Sequence, residues 1–207
     1  MKKYFVTGIG TNVGKTLISA LLCKYLKADY FKPIQSGTIE GTDSNLIKKL
    51  IPECITHTEN YTLSLSASPH LAAAKENIKI DKNRLILPHT QNPLIIEGAG
   101  GLLVPINNEL YIADLIKLFN AECILVISSY LGCINHALLS IDYIRNHNIP
   151  FKGIIFNGNF EQEIKSAILK KLQVEEFISE IPYVSDITPQ TFNTLFLQFK
   201  NNLKTTL

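Results

Sequence analysis

Short unbroken apolar runs recur along the chain and alternate with longer stretches in which apolar residues return every third or fourth position. Tyr4–Thr7, Leu94–Glu97, Cys123–Ser128 and Gly153–Asn157 have the continuous apolar character of strands buried on both faces. Shorter runs lie at Tyr30–Lys32 and near Phe177–Ile181. Between them Lys15–Lys27, Ile112–Phe119, Ile134–Asn146 and Glu161–Leu172 read as helices. In the first, Ile18, Leu21, Leu22 and Tyr25 share one stripe. Strand alternating with helix predicts an α/β fold with a mostly parallel sheet flanked by helices on both faces. The stretch from Pro33 to Gln91 is less regular and holds Gly37, Gly41, Pro52, Pro69 and Pro88. It is expected to be an excursion with short helices that carries substrate contacts. No internal repeat or low-complexity linker interrupts the pattern, so residues 1–207 are expected to form one domain.

Composition agrees with a packed core, since 46% of the residues are apolar and 18% charged. The net charge is +2 and the 20 basic residues are dispersed, which argues against a nucleic-acid surface. The pairs Lys48-Lys49 and Lys170-Lys171 read as solvated helix faces. No apolar run approaches the length of a membrane span. Met1-Lys2-Lys3 leads straight into the first strand, so a signal peptide is not expected. Cys23, Cys54, Cys123 and Cys133 form no C-x-x-C pair, and reduced thiols in a cytoplasmic protein are the expectation.

The densest chemical signal is Gly8-Ile9-Gly10-Thr11-Asn12-Val13-Gly14-Lys15-Thr16, after a strand and before a helix. Glycines let backbone N–H groups converge on one centre, and a helix N-terminus adds partial positive charge. Lys15 can reach β- and γ-phosphates, and the Thr16 hydroxyl can ligate Mg²⁺. The first glycine stands one residue earlier than in the usual phosphate loop, so the loop carries an extra residue. ATP or GTP binding follows, but the reaction does not.

Three further residues belong near the phosphates. Lys32 follows the second strand, at the sheet edge where such folds bind ligands, and leads into Pro33-Ile34-Gln35-Ser36-Gly37. Asp43 precedes a helical pattern and suits either an N-cap or a metal ligand. Glu97 ends a strand that is otherwise apolar, a costly place for a carboxylate unless it faces a metal or the ligand crevice. Thr16, Asp43 and Glu97 together would make a hard-oxygen Mg²⁺ site.

Read in order, Gly8–Thr16, Lys32–Gly37, Asp43, Ser68-Pro69-His70, Glu97–Gly101 and Leu131–Ala137 resemble the dethiobiotin synthetase family, and the resemblance runs from Lys3 to about Val184. The extended phosphate loop is typical of that family. The resemblance implies an ATP- and Mg²⁺-dependent ligase that closes a ureido ring on 7,8-diaminononanoate with CO₂ or bicarbonate. Carbamate and carbamic-phosphoric anhydride intermediates are implied, and no nucleophilic side chain. Lys32 and Lys15 would be the catalytic cations. Nucleotide contacts would come from Asn12, Val13, Gly14, Lys15, Thr16 and Leu17 of the loop, from Asp43, and from Glu97, Gly98, Ala99 and Gly100. Asn157 would hydrogen-bond the adenine, with Gly158 standing where the family has an acidic residue. Thr11 and Ser36 would contact the diamine or its carbamate. Gly132, Cys133 and Asn135 would hold the substrate carboxylate from a second subunit, which implies a homodimer with shared sites. His136 reads as structural. A glutamine-dependent synthetase would need a second domain for which 207 residues leave no room. A chromosome-partitioning ATPase would carry a further lysine early in the loop, where this chain has Ile9 and Gly10.

Overall fold

The computed structural model describes residues 1–39, 41–173 and 176–203. Among these residues seven strands form one sheet: β1 (Lys3–Gly8), β2 (Asp29–Phe31), β4 (Thr56–His57), β6 (Leu94–Gly101), β7 (Glu122–Ser128), β8 (Phe151–Asn157) and β9 (Phe177–Ile181). Their spatial order is β4-β2-β6-β1-β7-β8-β9 and every neighbouring pair is parallel. A separate parallel pair joins β3 (Ile34–Ser36) to β5 (Tyr61–Leu63). Because all the strands of the main sheet run one way, the loops at their carboxyl ends share a single edge.

Alternate residues of each strand pack into two apolar cores. Tyr4 and Val6 of β1, Tyr30 of β2 and Ile95 of β6 face α1 (Lys15–Leu26), α2 (Asp43–Leu50) and α7 (Pro189–Asn201). Phe5, Phe31 and Ile96 face the other way, toward α3 (Pro69–Lys75), α4 (Ile112–Leu118), α5 (Cys133–Asn146) and α6 (Gln162–Leu169). This covering of both faces by helices is the arrangement expected of apolar parallel strands. Among the described residues no helix is long and apolar enough to cross a membrane, and all four cysteines are free.

The apolar runs locate the strands and helices to within a few residues. β6 continues through Gly98-Ala99-Gly100-Gly101, four residues past the end of its apolar signal, because its backbone still pairs with β1 at Gly8↔Gly101. The irregular excursion contains α2, α3 and three strands of only two or three residues, too short for any period to register. Helix α7 belongs to the tail beyond the resemblance. Thr188 caps it, Pro189 opens it, and Phe192, Leu195 and Phe199 are buried against α1 and its surroundings. The Lys24 ammonium of α1 lies 5.4 and 5.1 Å from the ring centres of Phe192 and Phe196 and bonds Asn193 at 2.6 Å. Lys48 and Lys49 are exposed on α2 as expected, and Lys170 and Lys171 are exposed at the end of α6.

Asp29, 3% exposed at the start of β2, ties the sheet to its surroundings. It accepts from Thr90 Oγ1 at 2.6 Å and Asn92 Nδ2 at 2.9 Å, and meets His57 Nε2 at 2.9 Å. Burial disfavours its charge, but these three partners outweigh that and hold its carboxyl below the usual carboxylate range. The Asp29→Ala variant leaves these groups unsatisfied and should lose about 2–4 kcal/mol of stability at pH 7 by urea unfolding. A depressed carboxyl stabilises the fold above the unfolded value of about 3.9 and loses that contribution as pH falls through the folded value. The gap between wild type and variant should therefore shrink below about pH 4. A gap that stays constant to acid pH would mean that the Asp29 charge contributes nothing.

Candidate active site

The loop between β1 and α1 is built to leave its N–H groups free. Among the described residues no acceptor meets the backbone N–H groups of Gly10 to Leu17. Asn12 and Gly14 take left-handed conformations, φ 58° and 90°, which turn successive amides inward. Asparagine is among the few side chains that tolerate this region. Two contacts hold the loop in shape. Val13 is buried in the α1-side core, and its side chain lies where a Cβ on Gly8 would fall. Asn157, at the end of β8, sits on Gly14 so closely that a Cβ there would come within 2.0 Å of Nδ2. That Nδ2 donates to the Val13 carbonyl at 2.9 Å. Asn157 thus braces the phosphate loop while its Oδ1 has no protein donor among the described residues.

Strand parity assembles the charges. Tyr30 and Ile95 point to the α1 side, and two residues further along their strands come Lys32 and Glu97, on the same side. Lys32 Nζ lies 2.7 Å from Asp43 Oδ2 and 3.1 Å from Glu97 Oε1. The Tyr30 hydroxyl donates to Glu97 Oε2 at 2.8 Å. Thr16 Oγ1 stands 2.6 Å from Asp43 Oδ1 and 2.9 Å from Glu97 Oε1. A hydroxyl has one proton, so it can donate to only one of these carboxylates. The other short oxygen contact calls for a cation, and Lys32 supplies one. Three hard oxygens around one point are also what Mg²⁺ requires, so Thr16, Asp43 and Glu97 fit that ion. Among the described residues no cluster of three His, Cys, Asp or Glu side chains occurs, which leaves further positions of a Mg²⁺ shell to water and phosphate.

Asp43 is not the N-cap of α2; that role falls to Thr42, whose side chain accepts from Asn45 N–H, and Asp43 is the first helical residue. Burial alone would raise the Asp43 carboxyl, but Lys32 holds it below its ordinary value. Burial would likewise lower Lys32, yet Glu97 and Asp43 keep its pKa above the ordinary lysine value. Lys15 moves the other way, because burial outweighs the attraction of Glu97 and Lys32 adds repulsion. Its Nζ rests on the Gly10 carbonyl at 3.1 Å. Burial and the Glu97 charge push the Tyr30 hydroxyl well above its usual range.

A cleft of about 830 Å³ opens over this cluster and brings together most of the expected residues. Thr11, Asn12, Gly14, Lys15, Thr16, Leu17, Lys32, Ser36, Asp43, Glu97, Ala99 and Gly100 all line it. A second cavity of about 580 Å³ shares Thr11 and Asn12 and is walled by Asn157, Gly158, Tyr130 and Tyr183. Gly158 takes φ 121° and uses its N–H on the Ile181 carbonyl, so it supplies backbone only. Two of the expected nucleotide residues turn their side positions toward the core. Val13 faces the core, and Gly98 packs against Phe5 and Ile112 behind the sheet edge, where a Cβ would come within 2.8 Å of the Phe5 ring. Their types are explained by packing, with no side chain offered to a ligand. Gly132, Cys133 and Asn135 open α5 but line neither cavity, and Cys133 is buried. His136 bonds the Tyr130 hydroxyl at 2.6 Å through Nδ1, as a structural residue would. Tyr30 and Gln35 were not anticipated. Gln35 accepts from the Asp43 N–H at 3.2 Å and so positions that carboxylate. A tyrosine two residues before the lysine was the available signal for Tyr30.

Comparison with known proteins adds what geometry alone leaves open. The ATP-dependent dethiobiotin synthetase BioD of Cytophaga hutchinsonii is 51% identical over 173 residues, 82% of this chain and 84% of the relative. This chain belongs to the dethiobiotin synthetase family. The dethiobiotin synthetase of Christiangramia forsetii is 43% identical over 199 residues, 94% of this chain and 96% of its own. A family model described as an AAA domain matches residues 2–191. Among solved structures, the MinC:MinD cell division complex of Aquifex aeolicus matches with a TM-score of 0.53 at 12% identity over 98% of this chain and 93% of the other. A plasmid partition protein of Borrelia burgdorferi bound to AMPPNP matches with a TM-score of 0.52 at 13% identity over 97% and 98%. At those identities the two structures share the fold and nothing narrower.

The dethiobiotin synthetase cleft makes a definite forecast for the metal. Asp43→Asn and Glu97→Gln keep side-chain size while removing a charged ligand. Each should keep its melting temperature within a few degrees and raise the Mg²⁺ concentration for half-maximal turnover at least about tenfold. An unchanged Mg²⁺ titration in both would make these carboxylates partners of Lys32 only.

Proposed function

We propose that this chain closes the ureido ring of dethiobiotin from 7,8-diaminononanoate and CO₂, with Mg²⁺ as cofactor and ATP converted to ADP and phosphate. The carrying observation is the Lys32–Asp43–Glu97–Thr16 cluster beside a free phosphate loop, in a chain 51% identical to a dethiobiotin synthetase. One substrate amine captures CO₂ as a carbamate and gives up a proton. A carbamate oxygen attacks the γ-phosphorus and ADP leaves. The second amine attacks the carbamoyl carbon and phosphate departs as the ring closes.

The substrate supplies both nucleophiles, so the protein positions groups and offsets charge. Lys32, buried and held protonated by two carboxylates, is suited to stabilise the carbamate and the phosphoryl group in transfer. Lys15 can leave the Gly10 carbonyl for the β- and γ-phosphates, where the open amides of the loop also point. Mg²⁺ when bound would neutralise phosphate oxygens, held by Thr16, Asp43 and Glu97. Thr11 and Ser36 line the cleft, which supports their contact with the diamine or carbamate, and the Ser36 hydroxyl is buried without a protein partner among the described residues. The Asn157 Oδ1 is the acceptor available to an adenine amino group. The free thiols support a reducing cytoplasmic setting.

A homodimer accounts for Gly132, Cys133 and Asn135. The diamine end must lie near the γ-phosphate while the carboxylate ends several carbons away, and these residues open a fourteen-residue helix whose N-terminus suits an anion. Leu131 beside them is fully exposed. A second copy of the chain would bring them to the far end of the substrate.

Phosphate release should require the diamine, bicarbonate and ATP together, with each omission lowering the rate at least about a hundredfold. Comparable hydrolysis without diamine would replace the ligase reading by that of an ATP switch. Mixing Lys32→Ala with a bulky Asn135 variant, each inactive alone, should restore up to about a quarter of wild-type activity, because one intact composite site forms per mixed dimer. Subunit exchange is verified by labelled chains. Exchange without recovery would sink the shared-site assignment and leave the phosphate chemistry intact.

A further inference from the structure

Among the described residues, the wall of the cleft facing the lysines carries hydroxyls and no free charge. Ser64, Ser66 and Ser68 follow β5 and all line the cavity with Thr11 and Ser36. Ser68 is occupied, its Oγ lying 3.1 Å from His70 Nδ1. Ser64 and Ser66 are exposed to the cleft and their hydroxyls have no protein partner among the described residues. Ser66 is held against the end of β3. Gly37, at φ 82°, backs onto it so closely that a Cβ there would meet Ser66 Cβ at 3.1 Å and Oγ at 3.2 Å. This sets Ser66 beside Ser36, whose buried Oγ is itself unpartnered. Among the described lining residues the only carboxylates are Asp43 and Glu97, and Lys32 bridges both.

Such a wall has a preference among protonation states. An alkyl amine titrates near 10, so in neutral water the diamine carries at least one ammonium nitrogen, which cannot attack CO₂ while it keeps its proton. A carboxylate partner would stabilise the ammonium and hold its proton on. A serine hydroxyl accepts from an amine N–H and can also donate to its lone pair, so it binds the neutral amine without that bias. We propose that Ser64 and Ser66 are positioning residues that receive the diamine as the uncharged nucleophile. This inference rests on the ligase reading above.

The test measures kcat/KM for the diamine against pH at saturating ATP and bicarbonate. Wild-type product formation first secures the ligase reading, so a failure there is separate from failure here. Ser64→Ala/Ser66→Ala should raise KM for the diamine about five- to thirtyfold with kcat changed by less than about threefold, and should leave ATP affinity and the melting curve unaltered. Ser66→Asp should move the acid limb of the profile upward by about one pH unit, because the new carboxylate retains the ammonium proton. Glu40, an acidic residue of the adjoining sequence outside the described residues, is replaced by Gln as a control and should not move that limb. An unchanged KM in the double variant, an unmoved acid limb in Ser66→Asp, or a limb that moves in Glu40→Gln would each overturn the proposal.

Discussion

A carboxylate buried at the end of an apolar strand is the constraint around which the rest is arranged. Glu97 is 1% exposed, and an unpartnered charge at that depth would be costly to the fold. It is instead met by a tyrosine hydroxyl, a lysine ammonium and a threonine hydroxyl. The partners come from two segments: Tyr30 and Lys32 from β2 and its exit, Thr16 from the first turn of α1. Asp43 joins the same group from the start of α2. Satisfying one buried charge thus requires β2 beside β6, α1 over both, and α2 closing the side. The fold and the proposed chemistry meet in this network, since the groups that make burial tolerable are those proposed to handle phosphate.

The two faces of the sheet divide the work. The α1 side carries the charged cluster near the carboxyl edge and a deep apolar packing of α1, α2 and α7 below it. The opposite side packs α4 and α5 on Phe5, Ile96, Cys123 and Leu125 and, among the described residues, has no such cluster. Gly98 shows why the division is sharp. It lies one residue from Glu97 yet turns to the opposite core, where only a hydrogen fits between Phe5 and Ile112. Neighbours in sequence serve opposite faces because strand side chains alternate.

Much of this was legible because burial leaves a mark on composition. Parallel strands covered on both sides must be apolar throughout, so β1, β6, β7 and β8 announce themselves. The phosphate loop is visible because glycines recur where amides must converge, and Glu97 because a carboxylate breaks an apolar run. Short segments left no such mark. β3, β4 and β5 are too brief for periodicity, and Ser64 and Ser66 are ordinary serines in an irregular stretch. Helix α7 had the signals of capping and spacing, at Thr188-Pro189 and at Phe192, Leu195 and Phe199, but it lies beyond the recognisable motifs. Val13 and Gly98 stand in motifs expected to meet the nucleotide through backbone, and their side positions belong to the core. A motif reports which residues stand together, and the pleat and the loop decide which way each one turns.

The clasp between Asn157 and the phosphate loop has a thermodynamic consequence. Val13 is anchored in the core, its carbonyl is held from β8, and Gly14 is pinned under the same amide. The ordering entropy of this loop has therefore been met when the chain folds and need not be met again when a triphosphate arrives. Nucleotide docking on such a loop is rigid-body recognition, with water released from fixed amides, and carries little of the heat-capacity signature of a segment that folds around its ligand.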